Sequence, residues 1–240
     1  MKHIKKIKIF IKLFFQKNSL DKIATLTGGD KKYGHSYIPI YEKHFKELQN
    51  KKISLLEIGV GGYDDEYSGG ESLRMWSYYF KKSNIYGLDL FDKNLDLPKN
   101  VNVVKANQSN ASEIEEFAKK CGSFDIIIDD GSHNPKDIIS TFEILFHHLN
   151  ENGIYVIEDT QTSYWPKFGG TISDSASRAT SYFRDKTDGL NHSEFLDNKY
   201  VPNYYDINIT NISFYHNIIF IQKGNNSNNS IFVKNGELSL

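Results

Sequence analysis

Acidic side chains and one histidine follow two apolar runs in the second half of the chain. The run Phe-Asp-Ile-Ile-Ile is followed within five positions by Asp129, Asp130 and His133, and the run Ile-Tyr-Val-Ile leads into Glu158 and Asp159. Carboxylates bind hard cations, and an imidazole with its ordinary pKa of about 6.5 accepts protons near neutral pH. The pattern predicts metal-assisted chemistry at the ends of two buried strands.

Three of these carboxylates would bind one metal ion if their strands are neighbours. Parallel strands lie about 4.8 Å apart, so Asp130, Glu158 and Asp159 would meet at the carboxyl ends of the two strands. Clustered carboxylates repel one another unless a cation lies between them, and Mg²⁺ or Mn²⁺ prefers such oxygen ligands. The other interpretation is that each acid caps a helix or pairs with a lysine.

His133 is the predicted catalytic base of this cluster, and Asp130 is the second predicted catalytic residue. A hydroxyl group is a poor nucleophile because its pKa lies far above neutrality, and binding to a cation lowers that pKa. A histidine within reach then accepts the proton as the oxygen attacks. We therefore expect the protein to activate an alcohol.

A glycine-rich turn follows the first predicted strand. It reads Glu-Ile-Gly-Val-Gly-Gly from Glu57 and includes Gly59 and Gly61. Glycine adopts backbone angles closed to other residues and lets the chain approach a ligand. In an open α/β sheet, ligands bind at the carboxyl ends of the strands, where Asp89 of the second strand would accept hydrogen bonds from both ribose hydroxyls. The turn therefore predicts a nucleoside site.

The residues after this turn favour S-adenosylmethionine over a dinucleotide. A pyrophosphate requires a helix N-terminus directly after the glycines. Residues 63–67 are instead Tyr-Asp-Asp-Glu-Tyr, with three acids in five positions. These acids would repel a pyrophosphate, whereas they tolerate the sulfonium and ammonium groups of S-adenosylmethionine.

Short apolar strands alternate with amphipathic helices along most of the chain. This alternation predicts an α/β, Rossmann-like fold with a central, mostly parallel seven-stranded sheet, helices on both faces and an antiparallel C-terminal hairpin. Thr, Ser and aromatic residues at 160–170 predict an ordered loop. Strands are expected at residues 53–58, 85–90, 101–105, 124–129, 154–158, 207–215 and 218–223, and helices at 71–81, 112–121, 135–149 and 173–188.

Composition predicts a cytoplasmic protein with one globular domain. The 240 residues carry a formal net charge of -1, which gives no general attraction to nucleic acid. The single cysteine, Cys121, excludes an internal disulfide and is typical of a reducing compartment. We expect three regions, namely a basic amphipathic segment at residues 1–20, the domain at 21–223 and a polar tail at 224–240.

The basic N-terminal segment allows two interpretations. Lysines interrupt every apolar run in residues 1–17, so no stretch approaches the ~20 residues needed to span a bilayer. No small-residue cleavage site follows, which argues against a secretory signal. The segment could form a helix that packs on the domain or a partner, or it could contact a membrane surface.

Several segments together resemble a known family, the metal-dependent sugar O-methyltransferases of macrolide biosynthesis, represented by the mycinamicin VI and demethylmacrocin O-methyltransferases. The resemblance runs from about residue 21 to residue 223. The similar segments are Asp30-Lys31, Gly-His-Ser-Tyr-Ile-Pro-Ile-Tyr-Glu at 34–42, Leu-Glu-Ile-Gly-Val-Gly-Gly-Tyr at 56–63, Gly-Gly-Glu-Ser-Leu-Arg-Met-Trp at 69–76, residues 124–133, Val-Ile-Glu-Asp at 156–159 and Gln-Thr-Ser-Tyr-Trp at 161–165.

The resemblance implies a class I methyltransferase fold, S-adenosylmethionine as methyl donor and a divalent metal. It assigns the metal to Asp130, Glu158 and Asp159 and the base to His133. It also implies a small sugar-containing substrate, and we expect the protein to form a homo-oligomer. The implied donor-binding residues are Glu57, Gly59, Gly61, Ser72, Asp89, Asn107, Gln108 and Asp129.

The chain departs from this family in two respects. Family members tend to read Gly-Asp-Gln-Ser-Asp after the third strand, where this chain has Ala-Asn-Gln-Ser-Asn at 106–110. The amide oxygen of Asn107 can still accept a hydrogen bond from the adenine amino group. The macrolide enzymes also carry an additional N-terminal domain, which we expect this protein to lack.

We expect methyl transfer to a sugar hydroxyl. Because of the second departure and the lysine- and asparagine-rich composition, the expected acceptor is a nucleotide-linked or surface-glycan sugar in polysaccharide biosynthesis. The alternative acceptor is a macrolide or another antibiotic glycoside. Two further readings are a non-haem iron oxygenase, which lacks a clear second histidine ligand, and a non-catalytic nucleotide-binding module, in which the acidic cluster would have no role.

Overall fold

The computed structural model of the protein describes residues 19–239. The predicted amphipathic segment at residues 1–20 and its membrane-surface interpretation therefore fall almost wholly outside the described residues. Between residues 19 and 239, no helix combines the length and the apolar character that a bilayer crossing requires.

Seven strands form the main sheet. The strands are β1 (Ser54–Ile58), β2 (Asn84–Asp89), β3 (Val101–Lys105), β4 (Phe124–Asp129), β5 (Leu149–Ile157), β6 (Ile209–Tyr215) and β7 (Ile218–Lys223). Their order in the sheet is β3-β2-β1-β4-β5-β7-β6, and the prediction of a mostly parallel seven-stranded sheet with an antiparallel C-terminal hairpin is confirmed. The α-helices are α1 (Leu20–Thr27), α2 (Asp30–Tyr33), α3 (Ile38–Phe45), α4 (Glu71–Tyr79), α5 (Ala111–Cys121), α6 (Pro135–Leu145), α7 (Ala179–Asp185) and α8 (Tyr204–Asn208).

The first of two compact units ends at Ala106 and contains β1, β2 and β3, which pair in parallel. Helix α4 packs against β2 at Gly87, where an added Cβ would lie 2.8 Å from Leu73 Cδ1 and 2.9 Å from Val60 Cγ2. Only glycine permits so close a contact between helix and strand. This packing fixes the start of α4 beside the end of β1.

The second compact unit begins at Asn107 and contains β4 to β7. β4 pairs with β5 in parallel, and β7 pairs antiparallel with both β5 and β6. The predicted turn between β6 and β7 is present, with Asn217 in the left-handed region at φ 63°. The unit boundary falls within the predicted 21–223 domain, whose limits stay a prediction.

Three predicted helices are shorter in the structure, of which α4 ends at Tyr79, two residues before its predicted end. Helix α6 ends at Leu145 rather than at residue 149, because Leu149 already pairs with Phe124 at the start of β5. The stretch 173–188 is α-helical only in α7, because Asp174 instead accepts a hydrogen bond from the amide of Ala176 in a turn.

Three short C-terminal elements were not predicted. Helix α8 precedes the hairpin and begins with a capping box in which Asn203 accepts hydrogen bonds from the amides of Tyr205 and Asp206. Two short strands, β8 (Val233–Lys234) and β9 (Glu237–Leu238), pair within the segment predicted as a polar tail. All three elements are too short for an apolar repeat to reveal.

Candidate active site

The glycine-rich turn of the first unit forms a tight loop between β1 and α4. The amide of Gly70 donates to the carbonyl of Val60 at 2.8 Å, which brings the two ends of the loop together. Gly62 has φ 78°, and a Cβ there would lie 2.1 Å from the carbonyl oxygen of Ser68. Gly59 and Gly61 also have positive φ, at 87° and 81°. The loop, called the cradle below, is thus a backbone recess that side chains at the glycine positions would fill.

Asp89 lies beside this loop at the end of β2. Its Oδ2 accepts a hydrogen bond from the amide of Val60 at 2.9 Å, and its Oδ1 accepts one from the amide of Phe91 at 2.9 Å. Each carboxylate oxygen retains a further lone pair. Asp89 therefore fixes the loop and still has acceptor capacity for a ribose.

Glu57 at the end of β1 is fully buried and contacts two polar side chains. Ser72 Oγ donates to Glu57 Oε2 at 2.7 Å, and Lys31 Nζ lies 3.1 Å from Glu57 Oε1. Lys31 is 3% exposed. Sequence reasoning assigned no role to Lys31, although the pair Asp30-Lys31 was among the segments that resemble the family.

The second unit brings the predicted metal ligands and the predicted base close together. Ligand atoms of Asp130, His133 and Asp159 lie within 4.8 Å of one another, and a carboxylate oxygen of Asp130 lies within the same distance of one of Glu158. The amide of Glu158 donates to the carbonyl of Asp129 at 2.9 Å, so the parallel pairing continues past the strands and aligns their ends.

His133 and Asp159 share an uncommon backbone conformation. Both are non-glycine residues in the left-handed region, with φ 57° and 51°. Such residues concentrate at functional sites, where the surrounding structure maintains the strain. His133 Nε2 lies 3.9 Å from Asp159 Oδ2, and the ring of Phe168 makes an edge contact with His133 at 6.0 Å.

Gln108 and Asp129 form a buried network under the turn that carries Asp130 and His133. Gln108 Nε2 donates to both carboxylate oxygens of Asp129 at 2.8 and 2.9 Å, and Gln108 Oε1 accepts from the amide of Ser132 at 2.7 Å. Burial raises the pKa of Asp129 to about 7, and the hydrogen bonds from Gln108 oppose this shift. Both residues thereby position the turn, and their predicted contact with the donor stays a prediction.

Asn107 is half-buried and already makes local hydrogen bonds. Its Oδ1 accepts from the amide of Ser109 at 3.0 Å, and its own amide donates to Glu113 Oε2 at 2.8 Å. A carbonyl oxygen can accept a second hydrogen bond. Binding of adenine by Asn107 therefore also stays a prediction.

The chain is similar in sequence to sugar O-methyltransferases of antibiotic biosynthesis. It is 39% identical over 206 residues to 8-demethyl-8-alpha-L-rhamnosyl tetracenomycin-C 2'-O-methyltransferase of Streptomyces olivaceus, and 39% identical over 200 residues to mycinamicin VI 2''-O-methyltransferase of Micromonospora griseorubida. The alignments cover 85% and 82% of the chain. The chain is a relative of these sugar O-methyltransferases. The resemblance that the motifs indicated is confirmed.

A solved relative has the same fold. The MycE methyltransferase of the mycinamycin biosynthetic pathway, in complex with Mg and SAH, matches 90% of this chain and 57% of its own with a TM-score of 0.84 and 36% identity. A second MycE structure also contains mycinamycin VI and matches with a TM-score of 0.83 and 35% identity, over 89% of this chain and 55% of that chain. The predicted class I methyltransferase fold is thereby confirmed.

The similarity covers only part of these relatives. The chain spans about half of their length, 54% and 50% for the two named above. No family model matches the chain.

Proposed function

We propose that this protein transfers a methyl group from S-adenosylmethionine to a sugar hydroxyl of an antibiotic glycoside, with the help of a divalent cation. The observation that carries the proposal is the cluster of Asp130, His133, Glu158 and Asp159 at the ends of β4 and β5. An all-oxygen donor set next to an imidazole fits a hard cation with a base beside it.

The comparisons favour the alternative acceptor, an antibiotic glycoside, over the acceptor that the sequence led us to expect. The relatives named in the comparisons act on sugars that are already attached to tetracenomycin or mycinamicin. These names favour the glycoside alternative over a nucleotide-linked or surface-glycan sugar. We give these names more weight than the lysine and asparagine content, because composition bears on solubility and net charge rather than on the acceptor.

The cation would be held by the carboxylates of Asp130, Glu158 and Asp159. When bound, it supplies charge that lowers the pKa of a sugar hydroxyl beside it. His133 Nε2 accepts the hydroxyl proton, while Asp159 at 3.9 Å stabilises the resulting imidazolium. The edge of Phe168 limits the orientations open to the His133 ring.

The methyl donor would lie on the loop between β1 and α4. The glycines of this loop leave room for a nucleoside close to the backbone, and Asp89 offers acceptor oxygens to the ribose. The loop residues Asp64, Asp65 and Glu66 suit a cationic sulfonium rather than a phosphate.

Exposed aromatic residues near His133 suit the face of a sugar or an aglycone. Trp165 is 49% exposed, and its ring lies 6.1 Å from Phe168, which in turn contacts His133. Aromatic rings pack against the apolar faces of such ligands at little cost in side-chain entropy. This aromatic surface is part of the second unit, as are the predicted base and the metal ligands.

A transfer assay tests the proposal. The protein is incubated with S-[methyl-³H]adenosylmethionine and two panels of acceptors, desmethyl rhamnosyl or deoxysugar glycosides and the matching nucleotide sugars, each with EDTA or with added Mg²⁺. We expect label in the glycosides only, and only with Mg²⁺. Equal transfer in EDTA would exclude the metal role, and transfer to nucleotide sugars alone would exclude the glycoside acceptor.

A further inference from the structure

A cavity of about 410 Å³ lies within the second unit, beside the end of β5. Arg178 and Arg184 line it, and none of the ten described residues that line it is acidic. Among the 29 lysines and arginines of the chain three are arginines, so two of the three line this one cavity. A guanidinium presents a planar fork of N–H donors that matches the oxygens of a carboxylate or a phosphate, whereas a lysine is a point charge. The lining therefore favours an oxyanion.

Arg178 has a buried donor that the protein does not satisfy. Its Nε is shielded from solvent and donates to no acceptor within residues 19–239. The guanidinium lies over the ring of Tyr164, with 5.5 Å between Cζ and the ring centroid, which positions the charge without giving Nε an acceptor. A buried donor that lacks an acceptor is destabilising, so an oxyanion in the cavity would offset that cost.

Arg184 contributes a second, more accessible guanidinium. Its Nε and Nη2 donate to Oδ1 of the neighbouring Asp185 at 3.0 and 2.7 Å. This pair is exposed, and it uses two of the five N–H donors of the guanidinium. Exposed ion pairs contribute little to stability, so Arg184 can turn toward a ligand at small cost. Because Arg178 is the more buried of the two, we expect it to make the stronger contact.

Two hydrogen bonds between distant segments hold the walls of the cavity in place. The amide of Thr160 donates to the carbonyl of Asn217 at 3.1 Å, which joins the turn between β6 and β7 to the loop after β5. The amide of Thr180 at the start of α7 donates to Ser163 Oγ at 3.4 Å, which joins α7 to the same loop. A cavity that is fixed in this way binds a ligand without first ordering its walls.

The size and the aromatic lining of the cavity indicate a ligand larger than a bare anion. Small-molecule pockets in proteins have volumes of about 300–1,000 Å³, and this cavity falls within that range. The rings of Tyr164 and Phe214 line it and are 40% and 44% exposed. Exposed rings beside guanidinium groups offer an apolar contact to the body of a ligand whose acidic group the arginines bind.

We propose that this cavity binds a small organic acid, a molecule in which a carboxylate or phosphate group is attached to an apolar or aromatic body. Arg178 and Arg184 bind the oxyanion, and Tyr164 and Phe214 contact the body. None of these four residues is among the predicted donor-binding, metal-binding or catalytic residues. The cavity is therefore a second ligand site, beyond the proposed methyl transfer.

Calorimetric titration of the full chain in EDTA tests the proposal, because no cation is then available to bind an anion at the acidic cluster. Benzoate and phenyl phosphate carry both an oxyanion and a ring, inorganic phosphate carries the anion alone, and phenol carries the ring alone. We expect one saturable site per chain, phenyl phosphate about 2- to 10-fold tighter than inorganic phosphate because of the ring contact, and no measurable binding of phenol. Benzoate against phenyl phosphate then shows which acidic group the arginines prefer.

Variants of the two arginines locate the bound acid. Arg178→Gln should lose about 10- to 100-fold in affinity for phenyl phosphate, as is typical for hydrogen bonds to a charged group, and Arg184→Gln about two- to fivefold, because Arg184 is exposed. Arg178→Lys should recover only part of the loss, since an ammonium lacks the planar fork. The matched control is Lys119→Gln, which removes an exposed positive charge outside the cavity and should change the affinity by less than about twofold.

Three results would overturn the inference. Unchanged affinity in Arg178→Gln, or an equal loss in Lys119→Gln, would leave only a general effect of surface charge. Inorganic phosphate that binds as tightly as phenyl phosphate would remove the organic body from the proposal, and a wild type that binds no oxyanion would contradict the site itself. If Arg178→Gln fails to fold, the exposed Arg184→Gln decides the same question. Each of these results leaves the proposed methyl transfer intact, because the titration uses neither methyl donor nor metal.

Discussion

Among the single side chains, His133 has two properties that are typical of a catalytic residue. It lies in a backbone conformation that most side chains avoid, at φ 57°, and it faces a carboxylate of Asp159. A histidine that only filled space would gain nothing from this strain. The left-handed conformation turns the chain sharply after β4, which brings the ring back toward the carboxylates.

His133→Asn tests the role of the imidazole without adding backbone strain, because asparagine adopts left-handed angles more readily than most residues. We expect kcat for methyl transfer to fall about 10²- to 10⁴-fold, as for the loss of a general base, with the affinity for S-adenosylhomocysteine unchanged. His147→Asn is the control, since the ring of His147 stacks on that of Tyr204, with 4.2 Å between the ring centroids, and is not part of the acidic cluster. A variant with full activity would exclude His133 as the base.

The metal ligands could be predicted from the sequence because they directly follow strands. Asp130, Glu158 and Asp159 each come one or two positions after an apolar run, and parallel strands place such positions at one edge. Lys31 and Gln108 were harder to assign. Lys31 reaches Glu57 only through the fold of residues 28–37, and Gln108 reaches the β4 turn through contacts that no periodicity records.

The loop between β1 and α4 is the element that the donor proposal depends on. Its shape comes from backbone proximity, since Gly62 faces the carbonyl of Ser68 and Gly69 faces the carbonyl of Gly61. A side chain at either position would push the two arms of the loop apart. The cradle is therefore a property of the whole loop, and one substitution should disturb all of it.

Gly62→Ala should open the loop, because a Cβ there would lie 2.1 Å from the Ser68 carbonyl oxygen. We expect at least a tenfold loss in affinity for S-adenosylhomocysteine and about 1–3 kcal/mol of destabilisation. Gly122→Ala is a matched control, since Gly122 has φ 89° but no atom within 4 Å of its added Cβ. It shares the backbone strain and should retain donor binding.

Affinity and urea-unfolding measurements on the two alanine variants check this prediction. If Gly62→Ala bound the donor as tightly as Gly122→Ala, the cradle would not be the donor site. If both variants lost donor binding equally, the effect would come from lower stability rather than from the loop.

Element boundaries show where sequence patterns stop being informative. The alternation of apolar strands and amphipathic helices indicates the sheet and its parallel part, because each period reflects one buried face. The start of β5 at Leu149 depends instead on its pairing with Phe124, and the strands β8 and β9 depend on each other. Pairing between distant segments leaves no trace in local composition.

At the scale of the whole molecule, the stability of the fold should depend on pH through His44, which is partly buried. Burial lowers the pKa of His44 below its usual 6.5, and the neighbouring Lys43 lowers it further. The folded protein therefore releases the His44 proton more readily than the unfolded chain does. The contribution of His44 is therefore present above about pH 6.5 and is lost as the pH falls through the lowered pKa.

His44→Gln should reduce this acid sensitivity. Between pH 7 and pH 5, we expect the free energy of unfolding to fall further for the wild type than for the variant. The difference between the two falls should stay below about 1 kcal/mol, because His44 is partly exposed and solvent screens its charge. Urea unfolding at pH 7, 6 and 5 measures the difference. A wild type that became more stable than the variant on acidification would reverse the sign and contradict the assignment.

The comparison with the relatives covers only part of their sequences. Their names describe O-methylation of antibiotic compounds, and the chain spans only about half of their length. The expected homo-oligomer and cytoplasmic location stay predictions. The acceptor also stays a proposal, since no motif in the sequence names a particular sugar.

Binding of Mn²⁺, measured by electron paramagnetic resonance on the purified full chain, tests the central claim most directly. The account predicts one bound ion per chain for the wild type, competition by Mg²⁺, and at least a tenfold loss of affinity in Asp130→Asn and in Asp159→Asn but not in the control Asp174→Asn. A wild type that binds no ion, or Asp130→Asn and Asp159→Asn variants that bind it as tightly as the wild type, would contradict a metal centre at the ends of β4 and β5.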